Sequence, residues 1–458
     1  MKETMRVAQN CCELNFHSLP EKVIEKTKDL LLDYIGVAAR GALSDSSTPV
    51  QSMFERIGRH DRGAVVIGTD LSLHPLFAAM ANGIAAHSLE LDDVVNTASV
   101  HPGVVIISAA LAAAQADSCA GTKMIEAIVA GYEAMVKIGA AMNPGAHYAR
   151  GFHPTGTCGV FGAAITASKI FNLDASQTTC ALGIAGSQAA GSMEFLSDGS
   201  FTKRFHPGWS AHSGMMAAFL AQEGFTGPRT ILEGKFGFLN AYSSKPDRKK
   251  ILENWADPYE VLKTSIKPHA CCRYKQGPID GVLEVMKENA IKAEDVEKVT
   301  VAVLKAGFPL IAEPAQHKYR PASIVDAQFS MPFGVAVAIL YGKASLDQYT
   351  LENIRSAKVK KMMDRVVMKK DPELEKVFPE RWPARVVIET KDGKKFFKKI
   401  EHPKGDPENP LTRDEIVEKF KALVHPVFNN DRIYQIIDRV SALEKMDDVQ
   451  ALCELLGK

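Results

Sequence analysis

Four short stretches concentrate titratable side chains in otherwise apolar surroundings. The first runs His87-Ser88-Leu89-Glu90-Leu91-Asp92-Asp93, with His101-Pro102-Gly103 a little further on. Neighbouring carboxylates are costly to bury together because like charges raise one another's pKa, so packing alone would not select Glu90, Asp92 and Asp93. His87 reads as a satisfied core histidine. In the second stretch, Gly151 to Gly156, His153-Pro154 either punctuates the start of a small-residue helix or presents an imidazole at its positive end. The third, Ser197 to Gly208, sets Lys203, Arg204 and His206 inside a long apolar half, where cations need partners. Glu194 or Asp198 could serve, or a substrate carboxylate. The fourth, Ile266 to Gln276, gathers Lys267, His269, Arg273 and Lys275 at an expected domain boundary, a common place for a ligand. Its adjacent Cys271 and Cys272 read as inert buried thiols.

This inventory of imidazoles, carboxylates and cations suits one chemistry. Arg and Lys clamp the carboxylates of a small polyacid. A His, Lys or carboxylate removes a carbon-bound proton beside a carboxylate, and a second group delivers a proton or expels the leaving group. Loss of water, inversion at carbon and loss of CO2 all pass through such a carbanion-like state. The residues alone do not choose among them.

The elements that must hold these stretches are mostly helical. Ser18-Leu19-Pro20-Glu21 has the form of a capping box. Behind it Val23, Ile24, Thr27, Leu30, Leu31, Tyr34 and Val37 fall on one helical face. From Leu76 to Tyr148 Ala dominates and Lys123 and Lys137 are the only basic side chains, which predicts helices buried nearly all round. Gly156, Gly159 and Gly162 predict close helix packing rather than a phosphate loop. The character changes near Ile266. Val299, Val301 and Val303 alternate as in a strand, a helix is expected from Asp326 to Tyr341, and Asp392-Gly393 between two β-rich runs signals a hairpin. Helices resume after Pro410. The expected fold is mainly α: a helical domain over 1–264, an α/β domain over 265–403, and helices over 404–458 that complete the first domain.

Composition narrows the function. With 55 Lys+Arg against 54 Asp+Glu among 458 residues, no overall field draws in nucleic acid or a membrane. No apolar run reaches bilayer length, and the first residues lack a signal-peptide layout, so a cytoplasmic protein is expected. The segment Lys358 to Lys404 holds 15 Lys/Arg against 8 Asp/Glu, the bases spread among acids without aromatic interleaving, and reads as a solvated face. No C-x-x-C, H-E-x-x-H, Walker or G-x-S-x-G motif occurs, which argues against zinc, iron–sulfur, nucleotide and serine-hydrolase chemistry.

The chain resembles the MmgE/PrpD family, which includes 2-methylcitrate dehydratases, cis-aconitate decarboxylases and iminodisuccinate epimerase. The likeness rests on HSLELDD…HPG (His87 to Gly103), GFHPTGTCGVFGAA (Gly151 to Ala164) and SDGSFTKRFHPGWSA (Ser197 to Ala211). It continues through IKPHACCRYKQGPID (Ile266 to Asp280) and RPASIVDAQFSMPF (Arg320 to Phe333). It implies a homodimer without metal or organic cofactor, a site between the helical domain and an α/β lid, and a small polycarboxylate substrate. By motif position the resemblance implies Asp92, Asp93, His101, His153 and Lys203 as catalytic residues. It implies Glu90, Arg204, His206, Lys267, Arg273 and Gln276 as substrate-binding ones. The implied reaction is a cofactor-independent lyase of the dehydratase type, 2-methylcitrate dehydratase-like. An epimerase of a succinate derivative and a catalytically dead polycarboxylate-binding protein are the alternatives. The family pattern Asp-Phe-Asp/Asn-Asp-Thr is here Glu90-Leu91-Asp92-Asp93-Val94, and a His often found at the end of the fourth stretch is Gln276. Both departures touch the reacting region and move the expectation away from 2-methylcitrate and cis-aconitate, toward the epimerase-like or an uncharacterised branch of the family.

Overall fold

The computed structural model describes residues 2–378 and 380–458. The chain is 58% helical with 9% in strands and forms two compact units. One contains the residues up to Phe195, Ser200–Thr264 and Thr412–Lys458; the other contains Leu196–Gly199 and Ser265–Leu411. Among the described residues no helix is long and apolar enough to cross a membrane.

The first unit is a stack of Ala- and Gly-rich helices, among them Glu21–Gly41, Pro75–Ala86, Gly103–Ala116, Gly121–Ala141, Pro154–Ile170 and Thr202–Gln222. In Glu21–Gly41 the buried side chains recur at helical spacing, Val23, Thr27, Leu30, Leu31, Tyr34 and Val37, while Ile24 is half-buried. Ser18 does not cap this helix. It closes a short 3-10 turn, its hydroxyl donates to the Asn15 carbonyl, and Pro20 stands at the helix start. Small residues let the central helices approach closely. A Cβ added to Gly159 would stand 2.9 Å from Val105 Cγ2, and one on Gly162 would stand 2.5 Å from Ile106 Cδ1. The Gly156–Gly162 spacing therefore serves packing.

Two parts of this unit depart from a purely helical reading. Arg59–Val65 pairs with Ser72–Leu73 as a small antiparallel ribbon. Residues 223–264 hold one short helix, Phe238–Tyr242, and 3-10 turns rather than a continuation of the stack. The segment is held by tertiary bonds instead: the buried Glu133 carboxylate accepts from Ala256 and Glu260 backbone N–H groups.

In the second unit Val296–Val303 is central to a four-stranded sheet, parallel to Val366–Lys370 and antiparallel to Ala384–Thr390, which in turn pairs with Lys395–Ile400. Val299, Val301 and Val303 are buried, as are Ala384, Val386 and Ile388. The hairpin turns at Asp392-Gly393, where Gly393 takes φ +83°. The expected 326–341 helix is two helices, Ile324–Gln328 and Met331–Tyr341, because Ser330 caps the second and Pro332 opens it. Several bases of the 358–404 stretch pair with acids, among them Lys370 with Glu313, Lys395 with Glu389, and Lys398 with Glu284 and Glu288. That is a solvated face with an excess of positive charge.

Candidate active site

The titratable residues His87 to His101, His153, and Lys203 to His206, drawn from three of the four polar stretches, lie in the first unit. The Pro75–Ala86 helix ends at His87, and the chain then turns sharply through Glu90, which takes φ +54°. That left-handed conformation is rare for a residue with a side chain and persists only where the surroundings impose it. The turn delivers Asp92 and Asp93 to the start of the Gly103–Ala116 helix. His101 follows an isolated bridge between Val95 and Val100, and its backbone N–H is held by Thr155 Oγ1 at 3.1 Å. The Pro154–Ile170 helix begins at His153, and the Thr202–Gln222 helix carries Lys203 and His206 three residues apart, hence on one face.

Asp92 is the hub. Its Oδ2 lies 2.7 Å from His87 Nδ1 and 3.1 Å from His101 Nδ1, and the latter nitrogen is also 2.6 Å from the Asp93 carbonyl. Carboxylate and carbonyl oxygens accept, so both imidazoles carry their proton on Nδ1 and, when neutral, present a proton-accepting lone pair on Nε2. The His87 ring is stacked on His153 with centroids 5.7 Å apart. His153 Nδ1 is in turn 3.1 Å from His206 Nδ1. Two neutral rings can share that contact only as opposite tautomers, one Nδ1–H and one Nε2–H, so the pair offers both a donor and an acceptor. Burial pulls the His87 and His206 rings down to about 4, aided by the nearby Lys203 cation, and drives His153 well below its ordinary value. These three rings are neutral at physiological pH.

Lys203 Nζ donates to Glu90 Oε1 in a buried ion pair, a partner from the first stretch that composition did not offer. Arg204 is buried beside them with its guanidinium 5.3 Å over the Phe201 ring. Asp93 faces inward. Its Oδ2 accepts from Tyr132 OH at 2.5 Å and its Oδ1 from Gly103 N–H at 2.9 Å, which ties the helix start to the turn. Burial pushes this carboxyl up to about 7, with Asp92 adding to the rise and the Tyr132 and Gly103 bonds opposing it.

That shift has a thermodynamic consequence. Below about pH 4 Asp93 is neutral in both folded and unfolded chains; as pH rises toward about 7 only the unfolded chain ionises, so the wild type loses stability across that window. Asp93→Asn has no such loss. Urea unfolding at several pH values should show the variant gaining on the wild type between about pH 4 and pH 7, with a constant difference above. A pH-independent difference would mean that Asp93 is ionised when folded.

The fourth stretch lies in the second unit. Lys267 is buried there. His269 Nε2 is 2.9 Å from Asp280 Oδ1, a pairing that composition did not single out. Arg273 Nη2 binds both oxygens of Asp406, at 2.5 and 2.7 Å, and Ser265 Oγ donates to the same carboxylate. Gln276 clamps the loop before it: its amide nitrogen donates to the His269 and Cys271 carbonyls and its oxygen accepts from His269 N–H. An imidazole could not make this three-bond clamp. Burial pushes the Cys271 thiol up to about 11, in keeping with inert packing. His402, Asp406 and Glu408 form the one group among the described residues with metal-like spacing, but Arg273 already neutralises Asp406.

Sequence reasoning set His87 aside as a core histidine and did not single out Tyr132 or Thr155. His87 had a signal, since it opens the block that contains Asp92. Tyr132 had none beyond a lone hydroxyl in an Ala-rich helix.

A mainly helical protein with an α/β unit and a buried centre of imidazoles, carboxylates and lysine is the class that these features define. The chain belongs to the MmgE/PrpD family: the N-terminal domain of that family matches residues 5–250 and the C-terminal domain matches 269–443. It is 28% identical to the cis-aconitate decarboxylase-like protein oryM of Aspergillus oryzae, over 97% of this chain and 95% of that one. It is 26% identical to a cis-aconitate decarboxylase of Aspergillus terreus, over 99% and 96% of the two chains. With the cis-aconitate decarboxylase of Mus musculus it shares 25% identity, over 97% and 91%.

Proposed function

We propose that this protein is a lyase that acts on a small tricarboxylate without a cofactor, by proton transfer at a carbon next to a carboxylate. The observation that carries the reading is Asp92 shared between His87 and His101, with the neutral His153–His206 pair stacked against it. In dehydration, His101 Nε2 or a ring of the pair takes the carbon-bound proton. The electron pair forms the carbon–carbon double bond, the carbon–oxygen bond breaks, and the Nε2–H ring of the pair protonates the departing hydroxide to water. Lys203 and Arg204 balance substrate carboxylates, Asp92 orients the imidazoles, and Asp93 anchors the turn. Lys267 is a further carboxylate-binding candidate in the second unit. Decarboxylation is the second reading, favoured by the names of the relatives: CO2 leaves and the same N–H protonates the carbon left behind.

The test is proton NMR in D2O with EDTA present, offering 2-methylcitrate, citrate, cis-aconitate and iminodisuccinate. A new vinyl signal without CO2 supports dehydration; a new vinyl signal with CO2 supports the second reading. Deuterium entering an unchanged skeleton with racemisation would overturn both in favour of an epimerase. His153→Ala should lower kcat/KM at least about 100-fold, the scale of a lost general acid or base. Near-normal turnover of this variant would remove the His153–His206 pair from the mechanism.

A further inference from the structure

The Glu90–Lys203 pair is an unusual thing to find in a site for anions. Lys203 lies in the first turn of the Thr202–Gln222 helix, with Arg204 beside it and His206 on its own face. A helix start, an ammonium and a guanidinium together favour an anion at this place. The anion present is the protein's own carboxylate. Glu90 is 4% exposed and Lys203 7%, so both charges have been withdrawn from water. The Glu90 backbone is held at φ +54°, where Gly or Asn would be at ease. A buried ammonium needs a countercharge, but not one carried on a strained backbone.

We infer that Glu90 is a resident carboxylate that occupies the Lys203 subsite in the unliganded protein and yields it to a substrate carboxylate, making Glu90 a specificity-determining residue that limits how much negative charge the site accepts. The inference rests on the reading of this cluster as a polycarboxylate site. Substrate must displace Glu90 from Lys203, and the displaced charge stays close enough to repel further carboxylates. Replacing Glu90 by a neutral residue therefore frees the subsite and removes a repulsion that grows with ligand charge.

Calorimetric titration of the full chain with tricarballylate, an unreactive tricarboxylate, and with succinate tests this. In Glu90→Gln the Kd for tricarballylate should fall about tenfold, about 1.4 kcal/mol, with a smaller fall for succinate. Glu90→Asn, which suits the left-handed backbone, should give the same pattern and keeps the test open if the Gln variant folds poorly. Unchanged or weaker binding of both ligands by both variants would overturn the inference and leave Glu90 as a prop for Lys203. An equal gain for the two ligands would overturn the claim about charge. The readout needs no turnover, so absence of lyase activity beside the predicted binding pattern would sink the proposed reaction and not this inference.

Discussion

Asp92→Asn should lower kcat/KM by about 10²- to 10⁴-fold while leaving KM within a few-fold of wild type. The size follows from what the carboxylate does for two rings at once. One Asp92 oxygen receives Nδ1 of His87 at 2.7 Å and of His101 at 3.1 Å, which fixes the Nδ1–H tautomer of both. An amide with its oxygen toward the rings carries no charge to steady an imidazolium that has taken a proton, and one turned the other way offers N–H groups that drive the rings to the other tautomer or out of line. Carboxylate-to-amide changes behind a catalytic imidazole cost this much in enzymes where the tautomer is decisive. The Asp93 carbonyl, 2.6 Å from His101 Nδ1, still holds that ring, which sets the lower end of the range. The split between kcat and KM is diagnostic, because Asp92 is proposed to touch imidazoles rather than substrate carboxylates. A rise in KM with unchanged kcat would make Asp92 a substrate-binding group instead.

Patterns that one segment carries by itself were legible in the sequence. The Glu21–Gly41 stripe repeats at 3.6 residues, and the Ala384–Thr390 strand alternates and ends in Asp392-Gly393, so period and turn chemistry suffice. Elements defined by a distant partner were not legible. The 59–73 ribbon pairs seven residues with two, and residues 223–264 depend on Glu133, more than a hundred positions away. The same division runs through the site. The polar stretches stood out because buried carboxylates and cations are expensive, which is a matter of composition. The pairing of Lys203 with Glu90, across 113 positions, is a matter of packing. So is His87, whose sequence context is that of a core histidine and whose neighbours, Asp92 and the His153 ring, are those of a reacting centre.

The departures from the family pattern also take on meaning from geometry. Gln276 holds a loop with three hydrogen bonds that an imidazole at this position could not all make. Glu90 is one methylene longer than the Asp of the family pattern, and it is the carboxylate paired with Lys203.

Lys203→Met is expected to lower kcat/KM at least about 100-fold, the scale of a lost electrostatic clamp. It should also destabilise the fold by about 3–5 kcal/mol, because it strands the Glu90 carboxylate in a buried position. Alone, the variant cannot separate these effects. The double variant Lys203→Met, Glu90→Gln can. A neutral amide beside a thioether leaves no stranded carboxylate, so most of the lost stability should return in urea unfolding, while activity should stay low because the Lys203 cation is still absent. Stability and activity recovering together would mean that Lys203 serves the fold alone. Recovery of neither would mean that the Glu90 turn needs the ion pair to form at all, and that its left-handed backbone is held by Lys203 rather than by the rest of the 87–93 segment.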